Sequence, residues 1–238
     1  MKSINKCELQ IIRQFNYGSF SHVFEVVFDG KLYCYKQFKI EYPNDILENI
    51  CQMTEESYSS EFVTPLFVVF DKNKIVGYLS SLKRAVELDE IYDIKKKKIL
   101  LKQAKLTLQK LHRDYERVHG DINHANIIYD EKAMQPYIID FDSSLKFGQE
   151  IKSTFSFPNY LLDYLQYYPF DYLADIYEFN LQTLVLLTRK NHKDLLNDIS
   201  KAVYPVGEKF VMARKLCREL TLFDTRNKIS GEFIIDYL

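Results

Sequence analysis

The chain reads His119-Gly120-Asp121-Ile122-Asn123-His124-Ala125-Asn126 near its middle, and Ile138-Ile139-Asp140-Phe141-Asp142 follows after a short polar segment. Asp140 ends an apolar run that predicts a buried strand, so its charge needs a partner. In phosphoryl transfer, one aspartate accepts the proton of the attacking hydroxyl, while an amide and a second aspartate hold Mg2+ against the phosphates. Asp121, Asn126 and Asp140 therefore predict a magnesium–nucleotide site.

This pattern resembles the protein-kinase superfamily, whose catalytic loop reads H-R-D-x-x-x-x-N and whose metal loop reads D-F-G. The resemblance implies that Asp121 is the catalytic base and that Asn126 and Asp140 bind the magnesium. It also implies that His119 is a structural residue that braces the loop.

The chain departs from the family pattern at three positions of these motifs. Gly120 replaces the arginine, Asn123 stands where many protein kinases have a lysine, and Asp142 replaces the glycine of D-F-G. The form H-G-D-x-x-x-x-N is also similar to the kinases that phosphorylate aminoglycosides, choline and other small molecules. The motif therefore specifies the reaction type more closely than the acceptor.

A second segment, residues 15–24, resembles the glycine-rich loop G-x-G-x-x-G-x-V of the same family. It keeps the middle glycine, Gly18, and the valine, Val23, while Asn16 and Ser21 occupy the other two glycine positions. Asparagine tolerates positive φ, so it can partly replace glycine where backbone amides approach phosphates. The resemblance implies that these four residues contact the nucleotide, although the same segment also suits a hairpin turn.

Lys36 is the predicted phosphate-binding lysine, because its strand-like segment 32–38 resembles the V-A-I-K motif. A lone strand lysine is more often an exposed edge residue, but the order of the motifs favours the functional interpretation. A predicted helix over 45–58 should supply the acidic partner. The candidates are Glu48, Glu55 and Glu56. Spacing in typical protein kinases favours Glu55, whereas the local pattern resembles compact bacterial kinases and favours Glu48, our predicted partner.

Alternating apolar residues predict an amino-terminal sheet that is mostly antiparallel and carries one helix. The predicted strands are 9–15, 22–29, 31–38, 64–71 and 74–82, with a polar hairpin turn at 71–74. By the resemblance, Leu79 forms the gate of a nucleotide pocket and Ser80 begins the hinge, where backbone groups bind adenine. The predicted fold is α+β and bilobal: one kinase-like domain, 1–238, with an N-lobe over about 1–82, a hinge over about 80–87 and a C-lobe over about 88–238.

Beyond residue 87 the apolar period changes to about 3.6, which predicts a mainly helical lobe. Leu101, Ala104, Leu108 and Leu111 mark a core-facing helix, and the segment 171–188 predicts a helix that is buried on most sides. Asp175 resembles the family's buried aspartate that binds the backbone of the catalytic loop. Two further helices are predicted at 193–203 and 207–222, and residues 224–226 resemble a near-terminal D-x-x-x-R region. Most aromatic residues between 155 and 170 are predicted to pack in the core.

Composition excludes several classes of protein. The 238-residue chain has 47% hydrophobic residues and a formal net charge of −1, so it lacks the positive field that nucleic-acid binding needs. The run Lys95–Lys98 predicts a solvated helix start.

The four cysteines form no C-x-x-C pair, which argues against a zinc site or a disulfide framework and favours a reducing compartment. No apolar run approaches the roughly 20 residues needed to cross a bilayer. We therefore expect a cytoplasmic protein with no membrane or nucleic-acid partner.

The sequence thus predicts an ATP- and Mg2+-dependent phosphotransferase. A small Ser/Thr protein kinase with a protein substrate is favoured, and a small-molecule alcohol kinase is the alternative. A non-catalytic pseudokinase is a third hypothesis, supported by the incomplete glycine-rich loop. Against it, Lys36, Asp121, Asn126 and Asp140 are all present. A metal-dependent hydrolase built on His119, Asp121 and His124 would lack further ligands.

Overall fold

The structure, a computed structural model, describes residues 1–17, 20–150, 152–153, 157–221 and 229–238. Two compact units make up the chain. The first consists of Met1–Ala85 together with Ile139–Asp142, and the second of Val86–Ile138 together with Ser143–Leu238. The chain thus passes from the first unit to the second within the predicted hinge segment, 80–87.

The first unit contains most of the strands and one α-helix. Its elements are β1 (Ser3–Asn5), β2 (Gln10–Tyr17), β3 (Ser21–Phe28), β4 (Lys31–Phe38), α1 (Asn44–Met53), β5 (Phe62–Val63), β6 (Pro65–Asp71) and β7 (Lys74–Ser81). Six strands form one sheet in the order β1-β6-β7-β4-β3-β2, in which β1 is parallel to β6 and the other pairs are antiparallel. The predicted mostly antiparallel sheet with one helix is confirmed, and β1 is a strand that the prediction missed.

Tight turns set the register of this sheet. Asp29 and Gly30 have φ of 48° and 70°, and Lys72 and Asn73 have φ of 47° and 66°. Two consecutive residues with positive φ are characteristic of the type I′ turn, whose twist matches that of the strands it joins. The hairpin turn predicted at 71–74 is therefore confirmed.

Helix α1 is shorter than the predicted helix over 45–58. It buries Ile46, Ile50 and Met53, as the sequence pattern predicted, together with Asn49. The helix ends at Met53 and is capped by Thr54, whose hydroxyl donates to the carbonyl of Cys51 at 2.7 Å. Such a bond to a carbonyl of the last turn satisfies one of the acceptors that every helix end leaves unpaired.

The second unit contains the other five α-helices of the described chain. Its elements are β8 (Val86–Glu87), α2 (Ile94–Tyr115), β9 (Arg117–Val118), β10 (Ile127–Asp130), β11 (Gln135–Ile139, the last residue belonging to the first unit), β12 (Leu145–Lys146), α3 (Asn159–Leu165), α4 (Tyr172–Thr188), α5 (His192–Ser200) and α6 (Val211–Glu219). Strand β10 pairs antiparallel with β8 and with β11, and β12 pairs antiparallel with β9. The protein is thus an α+β protein with a mixed sheet.

Helix α4 is the centre of the second unit. Every residue from Ala174 to Leu184 is buried, which confirms the predicted burial on most sides. Around it pack Phe157, Leu161 and Tyr164, from a segment that forms the unpredicted helix α3. The aromatic residues of that segment therefore serve mainly as core, as expected.

The lysine run at the start of α2 is only partly solvated. Asp93 caps the helix by accepting from the backbone N–H groups of Lys95 and Lys96, at 2.8 and 3.2 Å. Lys97, however, is buried, and its Nζ donates to the carbonyl of Leu186 at 3.3 Å. Burial lowers the pKa of Lys97, so the prediction of a fully solvated run is wrong at this residue.

Helices α5 and α6 are each shorter than predicted, ending at Ser200 and Glu219. The near-terminal region predicted at 224–226 lies outside the described residues. Within the described ranges, no helix combines the length and the apolar character that crossing a bilayer requires.

Candidate functional site

The predicted catalytic loop follows β9 in the second unit, and its backbone is held by Asp175 of α4. Asp175 is fully buried, and its two carboxylate oxygens accept from the N–H groups of His119 and Gly120 at 2.7 and 2.8 Å. Nε2 of His112, near the end of α2, lies 2.8 Å from the oxygen that binds His119. The prediction that Asp175 binds the backbone of this loop is therefore confirmed.

The side chain of Asp121 is oriented by two amides of the same loop. Asn123 Nδ2 donates to Asp121 Oδ1 at 2.9 Å, and Asn126 Nδ2 donates to Asp121 Oδ2 at 2.8 Å. Asn123 Oδ1 in turn accepts from the backbone N–H groups of Ala125 and Asn126. The carboxylate is thus half-buried, fixed in direction and still able to accept a proton, as a general base must be.

His119 holds the backbone of the same loop at Asp121. Its ring is fully buried, and its Nδ1 accepts from the backbone N–H of Asp121 at 3.2 Å. It therefore has the bracing position that the family resemblance implied, rather than that of an exposed metal ligand.

The structure explains why glycine occupies position 120. Gly120 has φ of +77°, and a Cβ there would lie 2.5 Å from Cζ of Phe170 and 3.1 Å from the carbonyl oxygen of Ser143. A side chain at this position would meet both backbone strain and steric overlap. The departure from H-R-D is therefore required by the packing of this protein.

Glu178 is a residue beneath the loop that the sequence analysis missed. It lies one turn beyond Asp175 on α4, is fully buried, and accepts from the N–H of Ile122 at 3.0 Å. Burial, followed by the nearby charges of Asp121 and Asp175, raises the pKa of Glu178 well above its ordinary value. The available sequence signal was a glutamate one turn after Asp175, in a segment predicted to be buried on most sides.

In the first unit, Lys36 lies on β4 opposite Val23 of β3 and Tyr78 of β7. Residues that face one another across a sheet point to the same side, so these three share one face. Lys36 Nζ forms ion pairs with Asp140 and with Asp142, the latter at 2.7 Å. Burial alone would lower the pKa of Lys36, but the two carboxylates outweigh it and raise the pKa. The lysine is therefore charged.

The two aspartates of the predicted metal loop, Asp140 and Asp142, have different surroundings. Asp140 has φ of 65°, a left-handed conformation that Asp adopts more readily than most residues, and its side chain is 35% exposed. Phe141, between them, is fully buried and packs edge-on against Phe62. Asp142 is only 5% exposed and accepts from the hydroxyl of Tyr78 at 2.7 Å. Burial raises the pKa of Asp142, although Lys36 opposes the shift.

The predicted pairing of Lys36 with Glu48 is wrong. Glu48 is exposed on α1, on a surface that it shares with Leu47 and Ile75. The alternative, Glu55, lies beyond the helix end and pairs with the amino terminus of Met1. For Glu48 the reason is the rotational phase of α1, whose buried face, formed by Ile46, Asn49, Ile50 and Met53, excludes it.

The prediction that Leu79 forms a pocket gate is also wrong for the face that carries Lys36. Leu79 is opposite Tyr35 and packs with it in the apolar core on the other face of the sheet. Ser80 instead lies opposite Cys34 on the Lys36 face and hydrogen-bonds its thiol. Burial raises the pKa of that thiol to about 11.

The predicted glycine-rich loop is only partly described. Val23 is half-buried beside Lys36, and Ser21 is buried two residues earlier on the same face. The backbone of Asn16 is opposite Val23 at the end of β2. Gly18 lies outside the described residues.

The donor groups suit magnesium. Asp140 offers a carboxylate, and Asn126 uses its Nδ2 on Asp121 while its Oδ1 accepts no hydrogen bond from the described residues. Mg2+ prefers such hard oxygen ligands and completes its octahedron with water and phosphate oxygens. No group of three or more His, Cys, Asp or Glu side chains suited to a metal occurs in the described part of the chain.

Neither models of known protein families nor functionally characterised proteins match this sequence. The candidate site therefore depends on its own geometry and chemistry.

Proposed function

We propose that this protein is an ATP-dependent phosphotransferase with a bilobal kinase-like fold, acting in the cytoplasm on an alcohol group. The observation that carries the proposal is the catalytic loop, in which two amides orient Asp121 while Asp175 fixes the backbone. Because Asp175 fixes the loop and the two amides fix the carboxylate of Asp121, the loop is suited to phosphoryl transfer, which depends on holding the reacting groups in the correct geometry.

In the proposed reaction, the acceptor hydroxyl oxygen attacks the γ-phosphorus of ATP and the bond to the β,γ-bridging oxygen breaks. Asp121 accepts the hydroxyl proton, and ADP leaves with the bridging oxygen. Lys36 would bind the α- and β-phosphates, and Asp140 and Asn126 would each offer an oxygen to Mg2+, which would neutralise phosphate charge.

The favoured acceptor is a Ser or Thr hydroxyl of a protein. A small-molecule alcohol is the second candidate, and a specific observation favours it. Asn123 takes the place where many protein kinases have a lysine, and its side chain is used entirely within the loop. It therefore offers no positive charge to a peptide or phosphate.

Labelled phosphate transfer tests the proposal. The protein is incubated with γ-labelled ATP and Mg2+, first alone, then with casein, then with aminoglycosides and with choline. We expect transfer to one of these acceptors or to the protein itself, and transfer to casein alone would favour the protein-kinase assignment. Absence of transfer together with absence of ATP binding in calorimetry would refute the proposal, and binding without transfer would identify a pseudokinase.

Asp121→Asn is the decisive variant. General-base catalysis contributes about 10²–10⁴-fold, so the variant should lose activity by that factor while retaining its affinity for Mg-ATP. Asp114→Asn, an exposed aspartate at the end of α2, is the matched control and should retain activity. Wild-type turnover in Asp121→Asn would exclude Asp121 as the base.

A further inference from the structure

The carboxylate that orients Lys36 comes from the metal loop rather than from a helix. In the family that the sequence resembles, a helix glutamate has this task, but Glu48 is exposed and Glu55 pairs with Met1. Asp142 Oδ2 lies 2.7 Å from Lys36 Nζ. This aspartate occupies the position where the family has a glycine, so the contact is a property of this chain.

Asp142 is held in place from more than one direction. The hydroxyl of Tyr78 donates to its Oδ1 at 2.7 Å, and the hydroxyl of Tyr42 also hydrogen-bonds the carboxylate. Tyr42 is itself buried and stacks on Phe38 with the ring centroids 3.9 Å apart. A carboxylate with this many buried partners is fixed before any ligand binds.

The strand register explains why one carboxylate can serve both donors. Lys36 and Tyr78 are directly opposite on β4 and β7, so their side chains leave the same face side by side. Each uses a different oxygen of Asp142. The position of Lys36 on β4 and its contact with Asp142 together fix the direction of the lysine side chain.

The two aspartates are therefore suited to different tasks. Asp140 also contacts Lys36 but is 35% exposed, whereas Asp142 is 5% exposed. A metal ligand must reach phosphate and water, and a positioning group must remain fixed inside the protein. The difference in exposure assigns the first task to Asp140 and the second to Asp142.

We propose that Asp142 is the positioning residue that holds Lys36 for the nucleotide phosphates, in place of a glutamate of α1. This inference rests on the proposed function for the role of Lys36, but the contact itself can be tested without turnover. The metal loop then both binds the metal and orients the lysine.

Chemical labelling of Lys36 is the direct test. The protein, without nucleotide and at one fixed pH, is treated with an amine-reactive acylating reagent, and the labelling rate of the Lys36 peptide is measured by mass spectrometry. Asp142→Asn should increase this rate by about tenfold or more, the factor that corresponds to the loss of one hydrogen bond between charged groups. Glu48→Gln should leave it unchanged.

Tyr78→Phe is a second variant, which keeps the ring and removes only the hydroxyl that holds Asp142. It should increase Lys36 labelling by a smaller factor than Asp142→Asn does, and it retains the charge of the carboxylate. Circular dichroism and thermal melting identify any variant that fails to fold, and in that case Tyr78→Phe decides the question alone. Unchanged labelling in the folded variants, or an equal increase in Glu48→Gln, would overturn the proposal.

Protection by ATP separates this proposal from the proposed function. Mg-ATP should reduce Lys36 labelling in the wild type, and Asp142→Asn should raise the KM for ATP more than it lowers kcat. An increase in labelling in Asp142→Asn without ATP protection in the wild type would support the Asp142–Lys36 contact and refute the nucleotide site. Protection with no effect of Asp142→Asn on labelling or KM would refute the positioning role alone.

Discussion

Replacing Asp175 by asparagine should destabilise the second unit substantially. The oxygen of the new asparagine side chain can keep the contacts that Oδ2 of Asp175 makes with His119 and His112. The NH2 group then replaces Oδ1 and faces the N–H of Gly120. Two buried donors are left without acceptors, and at about 1–3 kcal/mol each they cost about 2–6 kcal/mol. For a chain of this size the smaller value lowers the melting temperature by at least about 4 °C.

Urea unfolding and thermal melting measure this loss, and hydrogen exchange locates it. The amide protons of His119 and Gly120 should exchange faster in Asp175→Asn, because their acceptor is weakened. Asp163→Asn, on the exposed side of α3, is the matched control and should change stability by less than about 0.5 kcal/mol. If Asp175→Asn is as stable as Asp163→Asn, Asp175 does not anchor the loop.

Three further outcomes are expected. Gly120→Ala should lower the free energy of unfolding in urea more than Gly148→Ala does. Both glycines have positive φ (77° and 79°), but of the two only a Cβ at position 120 would meet another atom within 4 Å. Equal losses of stability would show that Phe170 and its neighbours can move to accommodate the methyl group. Glu178→Gln should match the wild type below pH 4.5 and exceed it at pH 8, because the raised folded-state pKa of Glu178 makes the wild type lose stability as pH rises above the unfolded value. A wild type that gains stability relative to Glu178→Gln over this range would contradict the raised pKa of Glu178. At pH 8 a thiol reagent should modify the exposed Cys7 faster than the partly buried Cys34, since burial raises the pKa of Cys34 to about 11. Equal rates of modification of the two thiols in the folded protein would contradict the raised pKa of Cys34.

Local patterns predicted the elements of the fold well. Alternation and turn residues located the strands of the amino-terminal sheet, and β4 begins and ends as predicted at Lys31 and Phe38. The change to a helical period located α2 and α4, because side-chain periodicity follows directly from backbone geometry. Helix ends were less predictable, and α1 stops at Met53 although its sequence pattern continues.

Motif spacing also identified the parts of the candidate site that lie close together in the chain. Asp121, Asn123 and Asn126 are brought together by one short loop, and their hydrogen bonds need no distant residue. The anchor at Asp175 was predicted by resemblance, and the structure confirms it.

The errors concern rotational phase and register. Periodicity shows that one face of α1 is buried but not how the helix is rotated relative to Lys36. It therefore could not show whether Glu48 faces Lys36. Leu79 was misassigned because a strand presents alternate residues to opposite faces, and only pairing with β4 shows which face each takes.

The sequence by itself determined the kinds of element, their order along the chain and the side chains of the predicted catalytic loop, because each depends on interactions among near neighbours. Only the tertiary structure decided that Asp142 and Tyr78 surround Lys36, that Gly120 is required by Phe170, and that Lys97 is buried. These contacts join residues distant in sequence. Their geometry depends on how complete elements pack, and no local pattern encodes that.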